Sequence, residues 1–340
     1  MSLHRIGLAA LLGLVSLTAL SLPAQAEWTP ADDRGAMWDY QPTQGPRPPL
    51  RERDYFSSEQ KDETPIRSLS TEPVKSDWQP PANPEPAPRQ THLSSNSTMA
   101  LDTQSGIDVG GQISGYHYHE PTLNVKLNGP QFGLTAAITH VLGQDWFARL
   151  DTRFAGGPVH YTGSGESDDP NIIAELRATA GHDFRIGRFG VSPYLGLGYR
   201  HVNNDARGVT TTGASGYRRG SHYLFVPVGA ETRTFLSNGH KLSFLAEIDP
   251  LLQGWQTSKL SDVSSDYPDI TNNQRFGLGL RTHFMYGIRA WSFGPYLNYW
   301  GINKSTTDCA STNVYIVCGT EPTNHTIEYG LQLRYSFDSY

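Results

Sequence analysis

Cysteine is almost missing from this chain, with two residues among 340. That scarcity excludes a small domain stapled by several disulfides and a multi-cysteine metal module. A surplus of positive charge is missing too. Lys and Arg number 27 against 33 Asp and Glu, for a net charge of −6, whereas a nucleic-acid binder carries a basic patch. Hydrophobic residues make up only 37%, and mean hydropathy is −0.46. Beyond the N-terminal leader, no stretch approaches the roughly 18 apolar residues of a membrane helix. These scarcities exclude a helical membrane protein. They leave a membrane barrel open, because barrel strands alternate apolar with polar residues and keep the average low.

Glycine (34), proline (23) and aromatics (17 Tyr, 13 Phe, 7 Trp) are what the chain has in quantity. Length alone suggests about two domains, and the sequence divides into three segments. Residues 1–26 read as a secretory signal, with Arg5 ahead of the apolar run Leu8–Leu22 and the small-residue site Ala24-Gln25-Ala26. Residues 27–104 hold 12 of the prolines and 13 acidic against 8 basic residues. Their apolar residues are too sparse to bury a core, so a disordered, polyproline-rich periplasmic arm is expected. Within it, Met37-Trp38-Asp39-Tyr40 and Leu50 to Phe56 are candidate docking patches.

From 105 to 340 the period becomes two. Ile327, Tyr329, Leu331, Leu333, Tyr335 and Phe337 alternate with Thr326, Glu328, Gly330, Gln332, Arg334 and Ser336. This is a strand with one dry and one wet face. Ten such strands are expected, near 105–119, 130–142, 145–157, 171–186, 189–203, 217–236, 240–257, 273–287, 291–304 and 325–337. Every second connection is short, as at Gly143-Gln144 and Gly187-Arg188. The others (120–129, 158–170, 204–216, 258–272 and 305–324) are long and polar. Short turns at one end and long loops at the other mark an antiparallel up-and-down transmembrane β-barrel with its short end in the periplasm. Trp146, Phe184, Trp255, Trp291, Phe293, Tyr335 and Phe337 fall near strand ends, where aromatic girdles sit.

Four segments then carry a family resemblance: Ser192-Pro193-Tyr194-Leu195-Gly196-Leu197-Gly198-Tyr199-Arg200, Gly213-Ala214-Ser215-Gly216-Tyr217-Arg218-Arg219, Trp291-Ser292-Phe293-Gly294-Pro295-Tyr296 and the closing strand Glu328–Phe337. They resemble a family of uncharacterised outer-membrane β-barrel proteins of Gram-negative bacteria. The resemblance covers roughly 105–337. It implies the fold, the outer membrane as location, and no activity. Barrels of this kind end on an aromatic read by the insertion machinery. Here Asp338-Ser339-Tyr340 follow Phe337, which leaves Tyr340 as the terminal aromatic.

The inward faces carry Arg149, Asp151, Arg153, Glu175, Arg177, Arg200, Glu231, Arg233, Glu247, Asp249, Arg275, Arg281, Glu328 and Arg334. Ten strands enclose a narrow interior, whereas open porins use about 16. Opposite charges in near balance therefore read as a packed network of ion pairs. Arginine suits it, because its planar fork binds carboxylates bidentately. The competing reading is a narrow channel, or a buried acid pair at Glu247 and Asp249.

Catalytic patterns are weak. His117 and His119 share a strand face and could hold a metal, but no third ligand is evident, and surface histidines at a loop mouth are the simpler reading. His182-Asp183 falls at the periplasmic end. Ser221 and His222 are adjacent, so their side chains point to opposite faces, which works against a Ser–His dyad. No catalytic residue, metal or cofactor is expected, and a rim hydrolase of lipid A or peptides ranks below a non-enzymatic barrel. Cys309 and Cys318 are expected to form a disulfide in an exported protein. The bond would stiffen a loop that carries Val314, Tyr315, Ile316 and Val317, either a contact strip or a hairpin extending the wall. The expected partners are outer-membrane lipid and lipopolysaccharide, the barrel-insertion machinery, and a periplasmic partner of the arm; nucleic acid is not among them.

Overall fold

The computed structural model describes the backbone of Trp38–Pro42 and residues 101–338. The expected signal, most of the expected arm and Tyr340 lie outside the described residues. The wall of the barrel runs through β2 (Gly106–Glu120), β3 (Val125–Gly143), β4 (Trp146–Gly163), β5 (Gly165–His182), β6 (Phe184–Ile186), β7 (Phe189–Val209), β8 (Ser215–Phe225), β9 (Val228–Phe235), β10 (Lys241–Ser258), β11 (Ile270–Gln274), β12 (Gly277–Ile288), β13 (Trp291–Ile302) and β16 (Asn324–Asp338). Three wall strands are each split in two, at Asp183, at Val226-Pro227 and at Arg275-Phe276, so the thirteen segments form ten antiparallel staves. Proline 227 explains one break, because it has no N–H to give the ladder. The closing strand β16 pairs with β2 from His325↔His119 to Asp338↔Gly106, which seals the cylinder and leaves no edge.

The period-two pattern determines the two faces. On β16, Glu328 is fully buried and Gln332 nearly so, while Tyr329, Leu331 and Leu333 are about half exposed. The same holds around the wall at Leu134, Leu150, Leu195 and Phe284. A closed sheet whose large apolar side chains face outward and whose charges face inward is turned inside out relative to a soluble barrel. It spans a membrane as an outer-membrane barrel of the Gram-negative envelope does, its backbone groups paired from strand to strand around the wall. Rings cluster at its lower rim. Trp146 and Phe184 flank His182, with centroids 4.9 and 4.6 Å away, and Tyr335 lies 4.8 Å from Trp291 and 4.6 Å from Phe337.

The short end is built from tight turns. Gln144 and Asp145 both have positive φ (51° and 64°), the geometry of a two-residue hairpin whose twist matches the flanking strands. The long end departs from expectation. Segments 120–129, 158–170 and 204–216 are hairpins that prolong the wall: pairing continues to Glu120↔Val125, Gly163↔Gly165 and Val209↔Ser215. Above the membrane both faces are wet, so alternation fades while the backbone ladder persists. Sequence polarity marks the end of the apolar belt and not the end of the strand.

The loop 303–323 forms a hairpin of β14 (Asp308–Ser311) and β15 (Tyr315–Gly319). Cys309 and Cys318 face each other across it, Cα atoms 4.1 Å apart, joined by a disulfide. The free edge of β15 takes a third strand, β1 (Trp38–Pro42), with Trp38 opposite Gly319 and Pro42 opposite Tyr315. The sequence reading put the whole arm at the short-turn end. The described segments lie otherwise, with Trp38–Pro42 on this long-end hairpin and residues 101–105 in the short-turn mouth. The physical reason is that an unpaired strand edge offers N–H and C=O groups that an extended segment satisfies.

Candidate functional site

The lumen is filled in layers. Its middle layer joins six strands. Glu175 on β5 accepts from Arg200 Nη1 at 2.7 Å and Arg153 Nη1 at 3.3 Å, and pairs with Arg281 Nη1 at 3.4 Å. Glu328 on β16 accepts from Arg200 Nη2 at 3.0 Å and is paired with Arg153 Nη2. Glu247 on β10 accepts from Arg177 Nη1 at 2.6 and 2.7 Å, Arg281 Nε at 2.9 Å and the Tyr194 hydroxyl at 2.7 Å. Strands β7 and β16 are not wall neighbours, and neither are β5 and β12. Bonds between them therefore run across the lumen. Arg200 is 1% exposed and Glu328 0%, so the layer is dry. Charges held so tightly out of water survive only because each carboxylate meets two or three donors.

The other expected lumen residues lie around this layer. Arg149 pairs with Asp151 at 2.9 Å and with Asp108 at 3.7 Å. Arg177 reaches Asp151 at 3.5 Å, and Arg233 holds Glu231 at 2.9 Å and Asp183 at 3.7 Å. Asp249 is 3.6 Å from Arg281 Nη2, and neither of its oxygens has a hydrogen-bond partner. Arg334 lines the lower lumen with no carboxylate within 4 Å among the described residues. Arg275 is a correction, being exposed and outside the lumen. On β11 the buried positions are even (Ile270, Asn272, Gln274), and on β12 they are odd (Gly279, Arg281). The ladder is interrupted at Arg275-Phe276, the inward parity switches across the break, and Arg275 is left exposed.

Above the middle layer sit two apolar groups. One comprises Tyr116, Leu127, Ala155, Val159 and Ile173; the other comprises Tyr223, Phe225, Leu251, Trp300 and Ile302. Arg200 touches the second through the Trp300 ring, 5.7 Å from its centroid. Higher still, Arg219 pairs with Glu120 at 3.0 Å and with Glu321 at 2.6 Å. Sequence reasoning missed this upper pair. Parity would have found Glu120, which shares a face with Gln112, Ser114 and Tyr116, but nothing in the run Arg218-Arg219 says which residue points inward. Parity would also have found Asp108. Over the top, Leu260, Ile270 and Val317 form a small core with Tyr217, Tyr267, Ala310 and Tyr315 packed on it. The stapled hairpin is thus a cap. Val314 and Ile316 are exposed on its outer face.

Two contacts in the cap give predictions. Reducing the disulfide releases a closed loop of sequence separation 9, which removes about 2–3 kcal/mol in the chain-entropy model. The expected result is faster proteolysis within 305–323, with the heat stability of the transmembrane wall unchanged; equal cleavage rates in reduced and oxidised protein would contradict it. In the loop 258–272, Arg218 clamps Asp262 through Nε at 2.8 Å and Nη2 at 2.7 Å. The guanidinium holds the Asp262 carboxyl down to about 2. The folded-state value is depressed, so the clamp is fully formed above the ordinary carboxylate range near ~4 and is lost only as pH falls toward 2. The carboxyl resonance of Asp262 should titrate near 2. A midpoint near 4 would mean that the clamp is open in solution.

The remaining candidates do not converge on chemistry. His117 lies 2.8 Å from Asn128 Oδ1 and 3.2 Å from the Tyr329 hydroxyl, with its ring stacked on Tyr329. His119 stands opposite His325 on the neighbouring strand. Among the described residues, no group of three or more His, Cys, Asp or Glu side chains is placed to hold a metal. Ser221 donates to Gln256 Oε1 in the interior, whereas His222 stacks outside with His201 and Trp255. Asp183 holds Thr103 and Ser192 at the short-turn mouth, and His182 faces the lower girdle.

No protein-family model matches the chain, and no curated protein matches it. Among solved structures it is similar to the outer membrane protease OmpT from Escherichia coli: 10% identity, 70% of this chain and 100% of that one covered, TM-score 0.43. It is similar to the toluene transporter TodX of Pseudomonas putida (6% identity, 71% and 92% covered, TM-score 0.32). It is also similar to Ail, the attachment invasion locus protein of Yersinia pestis (13% identity, 68% and 99% covered, TM-score 0.23). A protease, a transporter and an attachment protein share no activity, and likenesses this distant say nothing about function.

Proposed function

We propose that this chain is a non-enzymatic barrel, closed to passive flux, that acts in envelope structure or in surface interaction through its stapled cap. The observation that carries this reading is the dry layer of guanidinium–carboxylate bonds running across the lumen at Arg153, Glu175, Arg200, Arg281 and Glu328. A conduit needs a wetted path, and a buried layer in which Glu175, Glu247 and Glu328 each meet two or three donors leaves little for water to solvate. An enzyme needs a nucleophile or base beside an open pocket, and the histidines and serines considered above stand apart from one another. The partners that fit are outer-membrane lipid and lipopolysaccharide at the outward girdles, the insertion machinery, and a periplasmic partner for the arm where it leaves the short-turn mouth.

The test is reconstitution into liposomes. Vesicles containing the barrel should not swell in a small sugar, and lipid A and peptide substrates should be recovered unchanged. Swelling above protein-free vesicles, or turnover of either substrate, would overturn the reading.

A further inference from the structure

Below the dry layer the lumen opens. Three neighbouring cavities of about 120, 50 and 40 Å³ rise from the short-turn mouth, and all three are lined by Arg149 and Arg334. The largest, at the mouth, offers about the share of liquid volume that four waters take. The Arg153–Glu175 pair at the top of the smallest cavity belongs to the layer that crosses the lumen, so the vestibule opens to one side only.

The charge in this vestibule does not balance. The mouth cavity is lined by Arg149, Arg233, Lys241, Arg289 and Arg334 against Asp102, Asp108 and Glu231. The middle cavity has four arginines against two carboxylates, and the upper has five against three. Each cavity thus carries two more cations than carboxylates. Part of the mismatch is made good from outside the lining, because Arg153, Arg177 and Arg281 pair with Glu328 and Glu247; the rest is three cations with no carboxylate partner among the described residues. Among the described residues, Arg334, Lys241 and the exposed Arg289 have no carboxylate within 4 Å, whereas Arg149, Arg153, Arg177, Arg200, Arg233 and Arg281 all have one. Asp102 does not close the gap, because its carboxylate is turned to Arg185, with bonds of 2.8 and 2.7 Å. Arg334 and Lys241 are both half-buried, and holding a cation partly out of water without a counter-charge is costly. A packed structural lumen would have supplied a carboxylate, as it does one layer higher.

We propose that the vestibule is a binding site for a small oxyanion, a phosphate- or carboxylate-bearing solute that enters from the short-turn, periplasmic side. Two guanidinium groups (Arg149 and Arg334) and the Lys241 ammonium supply charge, and planar guanidinium forks suit oxyanion geometry. The hydroxyls of Thr103, Thr139, Ser243 and Ser292 also line the mouth cavity and offer neutral hydrogen bonds. Residues 101–105 form one wall. Leu101 accepts from Arg233 Nη1 at 3.2 Å, and Thr103 N–H donates to Asp183 at 2.7 Å. The start of the arm is therefore part of the site.

The test uses the full chain in detergent micelles, titrated calorimetrically at low ionic strength with inorganic phosphate and, in a second arm, with succinate. Saturable one-to-one binding of at least one anion is expected. Tighter phosphate binding would assign a phosphate ligand, and tighter succinate binding a carboxylate. Arg334→Gln and Lys241→Gln should each weaken binding at least tenfold. Arg207→Gln, on the long-loop side and paired with Asp205, should leave it unchanged. Folding of each variant is checked by thermal midpoint. Without anion, removing an unpaired cation should not lower the midpoint. With anion, the midpoint should rise in the unmutated chain and in Arg207→Gln only. Absence of saturable binding with both anions would overturn the proposal, and so would binding that survives Arg334→Gln and Lys241→Gln unaltered.

Discussion

Replacing Glu175 by leucine lowers the unfolding free energy of the barrel by about 3–5 kcal/mol. Glu175 is 5% exposed and meets Arg200, Arg153 and Arg281. Leucine fills comparable space but leaves three buried guanidinium groups to share Glu328, Glu247 and Asp249. The cost comes from stranding charge, not from losing a favourable bond. The double variant Glu175→Leu with Arg200→Leu should therefore be less destabilised than the single one, because it removes one stranded cation with its anion. Glu166, exposed on the hairpin above the membrane, is the control, and Glu166→Gln should change stability by less than about 0.5 kcal/mol. Urea unfolding in lipid vesicles measures all three. A loss below about 1 kcal/mol for Glu175→Leu would mean that water already reaches the layer.

The second large effect is local. Arg219 neutralises two carboxylates that are almost wholly buried, Glu120 at 0% and Glu321 at 1% exposure. Arg219→Met leaves both without their cation, again a cost of about 3–5 kcal/mol. Glu321 belongs to the segment that carries the stapled hairpin, and its backbone N–H donates to Ser305 Oγ while its carboxylate accepts from Ser258. The expected relief is for the 303–323 segment to lift away, because a loop opens at lower cost than a wall. Proteolysis of that segment should accelerate at least tenfold, with the transmembrane wall still protected. Unchanged cleavage would mean that the apolar core of Leu260, Ile270 and Val317 holds the cap without Arg219.

The parts of this architecture that depend on alternation were legible in the sequence. The strand 324–338 could be read residue by residue, because a barrel wall separates lipid from lumen at every step. The cross-lumen pairs were legible as composition, arginine against carboxylate on the inner face, but not as partners, because pairing depends on strands far apart in the chain. Three things were hidden for physical reasons. Parity switches at a register shift near Leu252-Gln253 and at the break between β11 and β12, neither of which leaves a compositional mark, and the second misplaced Arg275. The hairpins beyond the apolar belt keep their ladders without a dry face, so they read as loops. The cationic surplus of the vestibule depends on which inward cations find a carboxylate, and that pairing joins strands far apart in the chain.

Closure of the lumen is the claim on which the rest depends, and a planar lipid bilayer tests it most directly. Inserted, folded, full-length barrel should show no steady conductance above the bare membrane at moderate voltage and neutral pH. Stable, ohmic steps from the unmutated protein would contradict it and would make the layer at Glu175, Arg200 and Glu328 a gate instead of a seal.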